Sequence, residues 1–261
     1  MANFIDHLGR QIELPNKVNR IVSLVPSLTE LLFDLGLDDK ITGITKFCEL
    51  PKEKVKSVPK IGGTKTVDVE AVIALMPDLI IASKEENVKS QIDELSEYCN
   101  VWVSDIANIN DAVKSINTIG SMTSSSKLAK EMVVSIEKDF NNFKSEIDRS
   151  VLYMIWRKPF MAAGNDTYIN DMLNKFGLTN CLKELRYPEL NVDSIKKLNP
   201  QIVMLSSEPY PFKNSHISEL QEILPNAQIV LVDGQMFSWY GSRLTKVLPY
   251  FNQLAAVLNN A

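Results

Sequence analysis

Apolar residues along the chain fall in short uninterrupted runs, which alternate with stretches of helical period. The runs at 79–82 and 202–205 read LIIA and IVML, and each is bounded by polar residues. Such runs are typical of parallel strands that are buried on both faces. The amphipathic stretches between the runs predict helices. The alternation therefore predicts an α/β fold with parallel sheets.

Two segments of the chain resemble each other at a constant offset of 123 residues. Residues 68–86 read DVEAVIALMPDLIIASKEE, and residues 191–209 read NVDSIKKLNPQIVMLSSEP. Asp68 in one copy and Asn191 in the other predict helix N-caps, because their side-chain oxygens can accept hydrogen bonds from free backbone N–H groups. A short helix, a proline and a buried strand follow in each copy. The repeat predicts two related lobes.

The similarity extends upstream of these segments. Residues 20–44 predict a strand, a turn, a helix that stops at a glycine, and a second strand. Residues 151–185 have the same pattern with a longer connection between strand and helix. Each half is therefore predicted to be a small α/β lobe with a parallel sheet.

The segment between the two halves, 124–148, contains neither glycine nor proline. Its apolar residues recur every three or four positions, at Leu128, Met132, Val133, Ile136, Phe140, Phe143 and Ile147. This spacing predicts one amphipathic helix of about six to seven turns. We expect it to connect an N-terminal lobe, 1–123, to a C-terminal lobe, 149–261. Two lobes joined in this way favour ligand capture in a cleft between them.

Composition excludes several classes of function. The 261 residues include 28 basic and 32 acidic side chains, a net charge of −4, so no excess of positive charge points to nucleic acid. A membrane-spanning helix needs about 20 apolar residues, far more than the longest runs here. The N-terminus MANFIDHLGRQ has no apolar signal core, which predicts a cytoplasmic chain unless a leader has been removed.

Cysteine and histidine are too few and too scattered for a metal centre. Cys48, Cys99 and Cys181 are odd in number and far apart, which favours incidental or buried thiols over a disulfide framework. The chain has two histidines, His7 and His216, which cannot form a multi-histidine site. We therefore expect no intrinsic metal or cofactor.

Three stretches carry a resemblance to a known family, and the resemblance covers essentially the whole chain. They are DHLGRQIELPNKVNRIVSLVPSLTELLFDLGL, GGTKTVDVEAVIALMPDLIIA and RYPELNVDSIKKLNPQIVML. The sequence resembles the substrate-binding proteins of ABC importers for cobalamin, haem and siderophores, and the cobalamin branch is the nearest by these motifs. The resemblance implies two pseudo-symmetric lobes joined by one long helix. It also implies a monomer in the periplasm or cell envelope, with a corrinoid, haem or ferric siderophore as ligand.

The resemblance implies a dimeric permease with its ATPase as the partner. In the family, one acidic residue on each lobe docks onto arginines of the permease, and these positions fall on Glu70 and Asp193. Two acids at equivalent helix starts also suit a two-fold symmetric partner. The alternative is that each carboxylate only compensates the dipole of its own helix.

The resemblance places the ligand against the strand-to-helix connections of both lobes. The candidate ligand-binding residues are Pro26, Ser27, Phe47, Thr64 and Lys65 in the first lobe, and Trp156, Arg157, Tyr187, Trp239, Tyr240 and Arg243 in the second. Aromatic faces with a few polar groups suit a large planar or macrocyclic ligand, and guanidinium groups suit carboxylates or phosphates. The alternative for each residue is packing or pairing within the fold.

One position departs from the family pattern. Cobalamin binders commonly carry a tryptophan where this chain has Thr64. The loss of that aromatic platform weakens the match to cobalamin, and the neighbouring Lys65 favours an anionic ligand. Cys48, beside Phe47, is a candidate soft ligand for a metal.

Two other functions remain open from the sequence. A cytosolic scavenger or sensor would keep the fold without a transporter, although Glu70 and Asp193 would then have no permease to contact. A metal-cluster or chelatase-like enzyme would share the two-lobed fold. The chain lacks the G-x-S-x-G, phosphate-loop and G-x-G-x-x-G motifs, and we therefore expect no enzymatic activity.

Overall fold

The computed structural model describes residues 1–145 and 147–259. They form two compact units, each built from more than one segment of the chain. The N-terminal unit contains Met1–Ile106, Asn110–Ile136 and Tyr240–Arg243. The C-terminal unit contains Ala107–Ile109, Glu137–Trp239 and the described residues from Leu244 onward.

The N-terminal unit follows the predicted alternation of strands and helices. Its regular elements, in chain order, are β1 (Ala2–Ile5), β2 (Gln11–Leu14), β3 (Ile21–Ser23), α1 (Pro26–Asp34), β4 (Ile41–Ile44), α2 (Val69–Ala74), β5 (Leu79–Ser83), α3 (Lys89–Ser96), β6 (Val101–Ser104), α4 (Ile109–Met122) from Asn110 onward and α5 (Ser126–Asn142) up to Ile136. Two 3₁₀ turns lie at Asp38–Lys40 and Lys54–Ser57. β1 and β2 form an antiparallel hairpin, and the four-stranded sheet has the order β4-β3-β5-β6 with all strands parallel.

The core of this unit lies on both faces of the central strands. All five residues of β5 are buried, which confirms the strand predicted from the LIIA run. One buried cluster joins strand side chains to those of α2 and α3, among them Val22, Ile80, Val103, Val72 and Leu95. Burial on two faces explains why the run is continuous instead of alternating with polar residues.

The C-terminal unit contains a larger, mixed sheet. Its elements are β7 (Arg149–Trp156), β8 (Phe160–Ala162), α6 (Tyr168–Phe176), β9 (Leu178–Asn180), β10 (Glu189–Leu190), α7 (Val192–Leu198), β11 (Ile202–Ser206), α8 (Asn214–Ile223), β12 (Gln228–Val232), α9 (Gln235–Ser238) and α10 (Leu244–Asn259). The strand order is β10-β8-β7-β11-β12, with β9 beside the first half of β7. β11 lies between β7 and β12 and is parallel to both.

Two strands of this sheet differ from the predicted parallel arrangement. β8 runs antiparallel to β7, and β10 runs antiparallel to β8. Only residues 157–159 separate β7 from β8. A connection this short can form a hairpin but cannot cross over to make a parallel pair.

Both predicted N-caps of the repeat are present. Asp68 Oδ1 accepts from the backbone N–H of Ala71 at 3.0 Å, and Asn191 Oδ1 accepts from that of Ser194 at 2.8 Å. The hydroxyl of Ser194 accepts in turn from the Asn191 backbone N–H, which completes a capping box. The local chemistry predicted for the two helix starts is therefore confirmed.

The helix predicted between the halves is shorter than 124–148. α5 covers Ser126–Asn142, and the preceding Ser124 has a left-handed backbone with φ +61°. Beyond α5, the Phe143 ring packs at 6.3 Å from Phe176 and 5.7 Å from Phe251, in the core of the C-terminal unit. The last residues of the predicted helix therefore lie outside α5, and Phe143 contributes to this core.

The last part of the predicted C-terminal lobe, 149–261, is interrupted, because Tyr240–Arg243 belongs to the N-terminal unit. Gly241 has φ +89°, and a Cβ at this position would lie 3.3 Å from Leu31 Cβ on α1. A glycine meets both conditions, the left-handed backbone and the close approach. Within the described residues, no helix is both long and apolar enough to cross a membrane.

Candidate functional site

In the N-terminal unit, Asn87 joins the loops at the carboxyl ends of the strands. Its Oδ1 accepts from the backbone N–H of Ser83 at 2.8 Å. Its Nδ2 donates to the carbonyls of Thr64 at 3.0 Å and Leu24 at 3.3 Å. Asn87 is buried and holds the Thr64 loop beside the start of α1. Sequence reasoning missed Asn87, since an asparagine after a strand has no distinctive local signature.

Phe47 is the most exposed aromatic side chain among the candidates, with 51% of its surface accessible. The Lys46 ammonium lies 5.3 Å from the centre of its ring. A Cβ on Gly63 would lie 3.1 Å from the ring, so this glycine lets the phenyl group lie against the backbone. The neighbouring Thr64 is half-buried, and the exposed Lys65 donates to the carbonyl of Glu85 at 2.8 Å.

The two candidates at the start of α1 differ in exposure. Pro26 is half-buried at the first helical position, where its missing N–H leaves no helical hydrogen bond unmade. Ser27 is buried, with 2% of its surface accessible. Pro26 therefore presents the more accessible surface of the pair.

Tyr240 and Arg243 lie in the N-terminal unit, which corrects their predicted place in the second lobe. The Tyr240 hydroxyl donates to Glu86 Oε1 at 3.3 Å, and burial raises the pKa of this phenol well above its usual range. Arg243 Nε lies 3.0 Å from Glu30 Oε2, and both side chains are buried. Arg243 thus makes the intramolecular pair that was the alternative to ligand contact.

Cys48 is also buried. Its sulfur lies 3.1 Å from Thr29 Oγ1 and 3.2 Å from Thr45 Oγ1. Burial raises the pKa of the thiol, so the neutral form is favoured. The group is an interior thiol, and this argues against its candidacy as a metal ligand.

In the C-terminal unit, Trp156 ends β7 with 39% of its surface exposed. Its ring meets Tyr210 edge-on, at 5.7 Å between centroids. The Tyr210 hydroxyl lies 3.3 Å from His216 Nε2, and the backbone N–H of Lys213 donates to His216 Nδ1 at 2.8 Å. Because Nδ1 accepts, the neutral ring carries its proton on Nε2 and donates to Tyr210. Tyr210 was not predicted, as it lies in a loop without a repeat partner.

Arg157 is held within the C-terminal unit. It donates from Nε and Nη2 to the two oxygens of Glu219, at 2.9 and 2.8 Å. The hydrogen bond to Glu219 raises the pKa of the guanidinium. A ligand carboxylate would bind to the same two N–H groups of Arg157 that donate to Glu219.

Tyr187 is half-buried beneath an arginine. The Arg186 guanidinium lies 5.6 Å from the centre of the Tyr187 ring. Asp166 accepts from the Arg186 backbone N–H at 2.5 Å and lies 4.0 Å from its side chain. The neighbouring residues Arg186 and Tyr187 thus form a cation–π contact in the structure.

The aromatic stretch 237–240 has separate environments. Phe237 is fully buried against Tyr153 and Phe251, whereas Trp239 is half-buried in the C-terminal unit. Trp239 Nε1 donates to Glu208 Oε1 at 2.8 Å. Glu208 was not predicted as a site residue, although it aligns with Glu85 at the repeat offset of 123 residues.

Glu70 and Asp193 are both exposed in the first turn of a short helix, α2 and α7 respectively. Each lies two residues after the N-cap, Asp68 or Asn191. The equivalent placement in the two units agrees with the repeat. In residues 1–145 and 147–259, no group of three or more His, Cys, Asp or Glu side chains could hold a metal ion.

Comparison with known proteins identifies the family. A family model described as periplasmic binding protein matches residues 21–224. A Bacillus subtilis (strain 168) protein named as an uncharacterized ABC transporter substrate-binding lipoprotein, YvrC, is 30% identical over 213 residues, which cover 76% of this chain and 67% of that protein. The vitamin B12-binding protein of Vibrio parahaemolyticus is 20% identical over 196 residues, 72% of this chain and 71% of the relative.

Solved structures confirm the predicted fold class. The periplasmic vitamin B12 binding protein BtuF of Vibrio cholerae matches with a TM-score of 0.80 and 16% identity, covering 95% of this chain and 100% of that one. A possible iron-binding (periplasmic solute-binding) protein from Staphylococcus epidermidis matches with a TM-score of 0.75 and 26% identity, covering 92% and 99%. The family expected from the sequence is thereby confirmed: this chain belongs to the periplasmic binding protein family.

Proposed function

We propose that this protein is the substrate-binding component of an ABC importer and captures a metal chelate for delivery to a membrane permease. The observation that carries the proposal is the pair of exposed aromatic side chains, Phe47 and Trp156, at the carboxyl ends of strands in the two units. Ligand sites are commonly lined by aromatic side chains, and the exposed face of such a ring suits contact with a large flat ligand. Family membership and the transporter name of the Bacillus relative support the same conclusion.

The ligand class in this proposal is a corrinoid, haem or ferric siderophore. Phe47, Trp156 and Tyr187 offer aromatic faces, and such faces suit a large flat or macrocyclic chelate. Lys46 and Lys65 add exposed positive charge beside Phe47, which favours an anionic chelate. Thr64 offers no aromatic platform there, so the charge and the missing ring together favour haem or an acidic siderophore over cobalamin.

Other candidates take a supporting role in this proposal. Pro26 and Trp239 are half-buried and accessible enough for contact, whereas Ser27, Tyr240 and Arg243 are buried and shape the loops behind the surface. Arg157 orders the turn after β7 through Glu219. Binding of this kind needs no catalytic step and no resident cofactor.

The permease docking proposal rests on Glu70 and Asp193. Both carboxylates are exposed at equivalent helix starts, where the side chain of Asp68 or Asn191 already caps one backbone N–H group of the helix. Exposed acids at matching positions suit arginines on the two halves of a dimeric permease with its ATPase. We propose that the chain acts as a monomer on the outer side of the cytoplasmic membrane, in the periplasm or cell envelope.

A ligand screen tests the proposal. Purified protein is titrated with cyanocobalamin, cobinamide, haemin and ferric siderophores while intrinsic tryptophan fluorescence is followed, with correction for absorption and confirmation by calorimetry. We expect saturable one-to-one binding at or below about 1 μM to one of them, a binding free energy of about −8 kcal/mol. Phe47→Ala and Trp156→Ala are each expected to weaken binding at least about tenfold. Tyr98→Ala is the matched control, because Tyr98 is also an exposed aromatic residue but lies after α3. Binding to none of the probes would refute the proposed ligand class.

Docking is tested separately from ligand binding. Glu70→Lys and Asp193→Lys together are expected to leave ligand affinity unchanged and to abolish stimulation of the importer ATPase in proteoliposomes. Glu13→Lys, an exposed acid on β2, serves as the charge control. If ligand affinity fell more than about tenfold, or 1.4 kcal/mol, the two acids would belong to the ligand site instead. Unchanged stimulation by the double variant would remove the docking role.

A further inference from the structure

Glu208 is a half-buried carboxyl group that follows β11 in the C-terminal unit. Its Oε1 accepts two hydrogen bonds, from Ser238 Oγ at 2.9 Å and from Trp239 Nε1 at 2.8 Å. The side chain of Gln235 is a third hydrogen-bond partner of the same carboxyl group. All three partners lie on α9 or immediately after it. Glu208 therefore ties the end of β11 to the segment that carries Trp239.

The backbone around Glu208 is shaped to admit this carboxyl group. The hydroxyl of Ser206 donates to the Glu208 carbonyl at 2.5 Å and accepts from its N–H at 3.3 Å. A Cβ on Gly234 would collide with Ser206 Oγ and would lie 2.6 Å from Glu208 Cγ. Only a glycine at 234 leaves room for the Glu208 side chain beside the start of α9. The local turn and the facing glycine thus hold the carboxyl group in one place.

We propose that Glu208 is a positioning residue, which fixes the orientation of the Trp239 indole so that its face is presented to the bound ligand. The ligand half of this inference rests on the proposed function. A tryptophan side chain has two rotatable bonds, and binding normally loses affinity when such a side chain must be immobilised. A hydrogen bond from Nε1 to an anchored carboxylate immobilises the ring before the ligand arrives. The function of Glu208 is therefore preorganisation of Trp239.

Nuclear magnetic resonance tests the positioning without any ligand. Protein labelled with ¹⁵N shows indole N–H signals for Trp102, Trp156 and Trp239, and Trp239→Phe assigns the signal of interest. Glu208→Ala is expected to shift the Trp239 signal and to speed its hydrogen exchange at least about tenfold. Glu208→Gln is expected to restore slow exchange, because its amide oxygen can take the place of Oε1. Glu222→Ala, which removes an exposed acid from α8, is the control and is expected to change nothing. An unchanged Trp239 signal in Glu208→Ala overturns the proposal.

A double-mutant cycle tests the ligand half, with haemin and cyanocobalamin as the probes. Glu208→Ala is expected to lower affinity about tenfold in the wild-type background and to have no further effect in Trp239→Phe, because Glu208 acts only through Trp239. An equal loss in both backgrounds would show that Glu208 contacts the ligand or supports the fold, and would overturn the inference. If wild-type protein bound neither probe, nor the cobinamide and ferric siderophores of the ligand screen, the proposed ligand class and the ligand half would fail together. The resonance experiment would then still decide whether Glu208 positions Trp239.

Discussion

The buried pair of Arg243 and Glu30 should control how firmly the Tyr240–Arg243 segment is held in the N-terminal unit. Arg243 Nε lies 3.0 Å from Glu30 Oε2, and the two side chains are 8% and 4% exposed. At this separation the attraction is about 5.5 kcal/mol for an effective dielectric constant of about 20. Replacing Arg243 alone leaves a buried carboxylate without its main cation, which typically costs about 3–5 kcal/mol. We expect Arg243→Met to lower the free energy of unfolding by that amount.

Guanidinium unfolding at neutral pH, followed by circular dichroism, measures the loss. The double variant Glu30→Leu with Arg243→Met is expected to recover most of it, because apolar side chains of similar size remove the charge that has to be compensated. Lys89→Ala is the control, since its pair with Asp93 is exposed and contributes little. A loss below about 1 kcal/mol for Arg243→Met, or a double variant no more stable than the single one, would refute the reasoning.

Three further predictions concern local features of the two units. Burial raises the pKa of Glu208, so its stabilising contribution is present at low pH and is lost as the pH rises through that raised pKa. The stability of Glu208→Gln relative to wild type is therefore expected to increase with pH in thermal melts, and a flat difference would contradict this. Asn191→Ala removes the cap of α7 and is expected to cost about 1 kcal/mol in urea unfolding, whereas no loss would show that the cap is dispensable. Cys48 is buried with a raised pKa, so iodoacetamide is expected to label it only on unfolding, and rapid labelling detected by mass spectrometry in native buffer would count against its placement.

Local chemistry determined the features that the sequence predicted well. The strands β5 and β11 are buried on both faces, and this burial is visible as uninterrupted apolar runs. The caps Asp68 and Asn191 need only the next three residues to act, so their signals are complete within a few positions. The predicted strands and helix starts were therefore confirmed wherever the physical cause lay within one element.

Features that depend on distant residues were missed or misplaced. Tyr240 and Arg243 pair with Glu86 and Glu30, more than 150 residues earlier in the chain, and nothing near them in sequence indicates this. The antiparallel strand β8 follows β7 after a short connection, residues 157–159. In the sequence this region was interpreted as part of one long connection between a strand and a helix. The sequence does not show which site candidates are exposed. The structure shows that Phe47 and Trp156 are exposed, whereas Ser27, Tyr240 and Arg243 are buried. Direct contact of Phe47 and Trp156 with a ligand remains a prediction.

The return of Tyr240–Arg243 to the N-terminal unit determines how the chain can be divided. A single break in α5 would produce an N-terminal fragment that retains Glu30 but has lost Arg243. Each fragment would thus lack part of a unit, although the sequence repeat suggests two separable halves. Chimaeras that exchange one half between relatives must transfer this short segment with the N-terminal half, or the exchanged Glu30 and Arg243 will come from different parents. Two co-expressed fragments would accordingly be obligate partners, and their reassembly would be a direct assay of this segment.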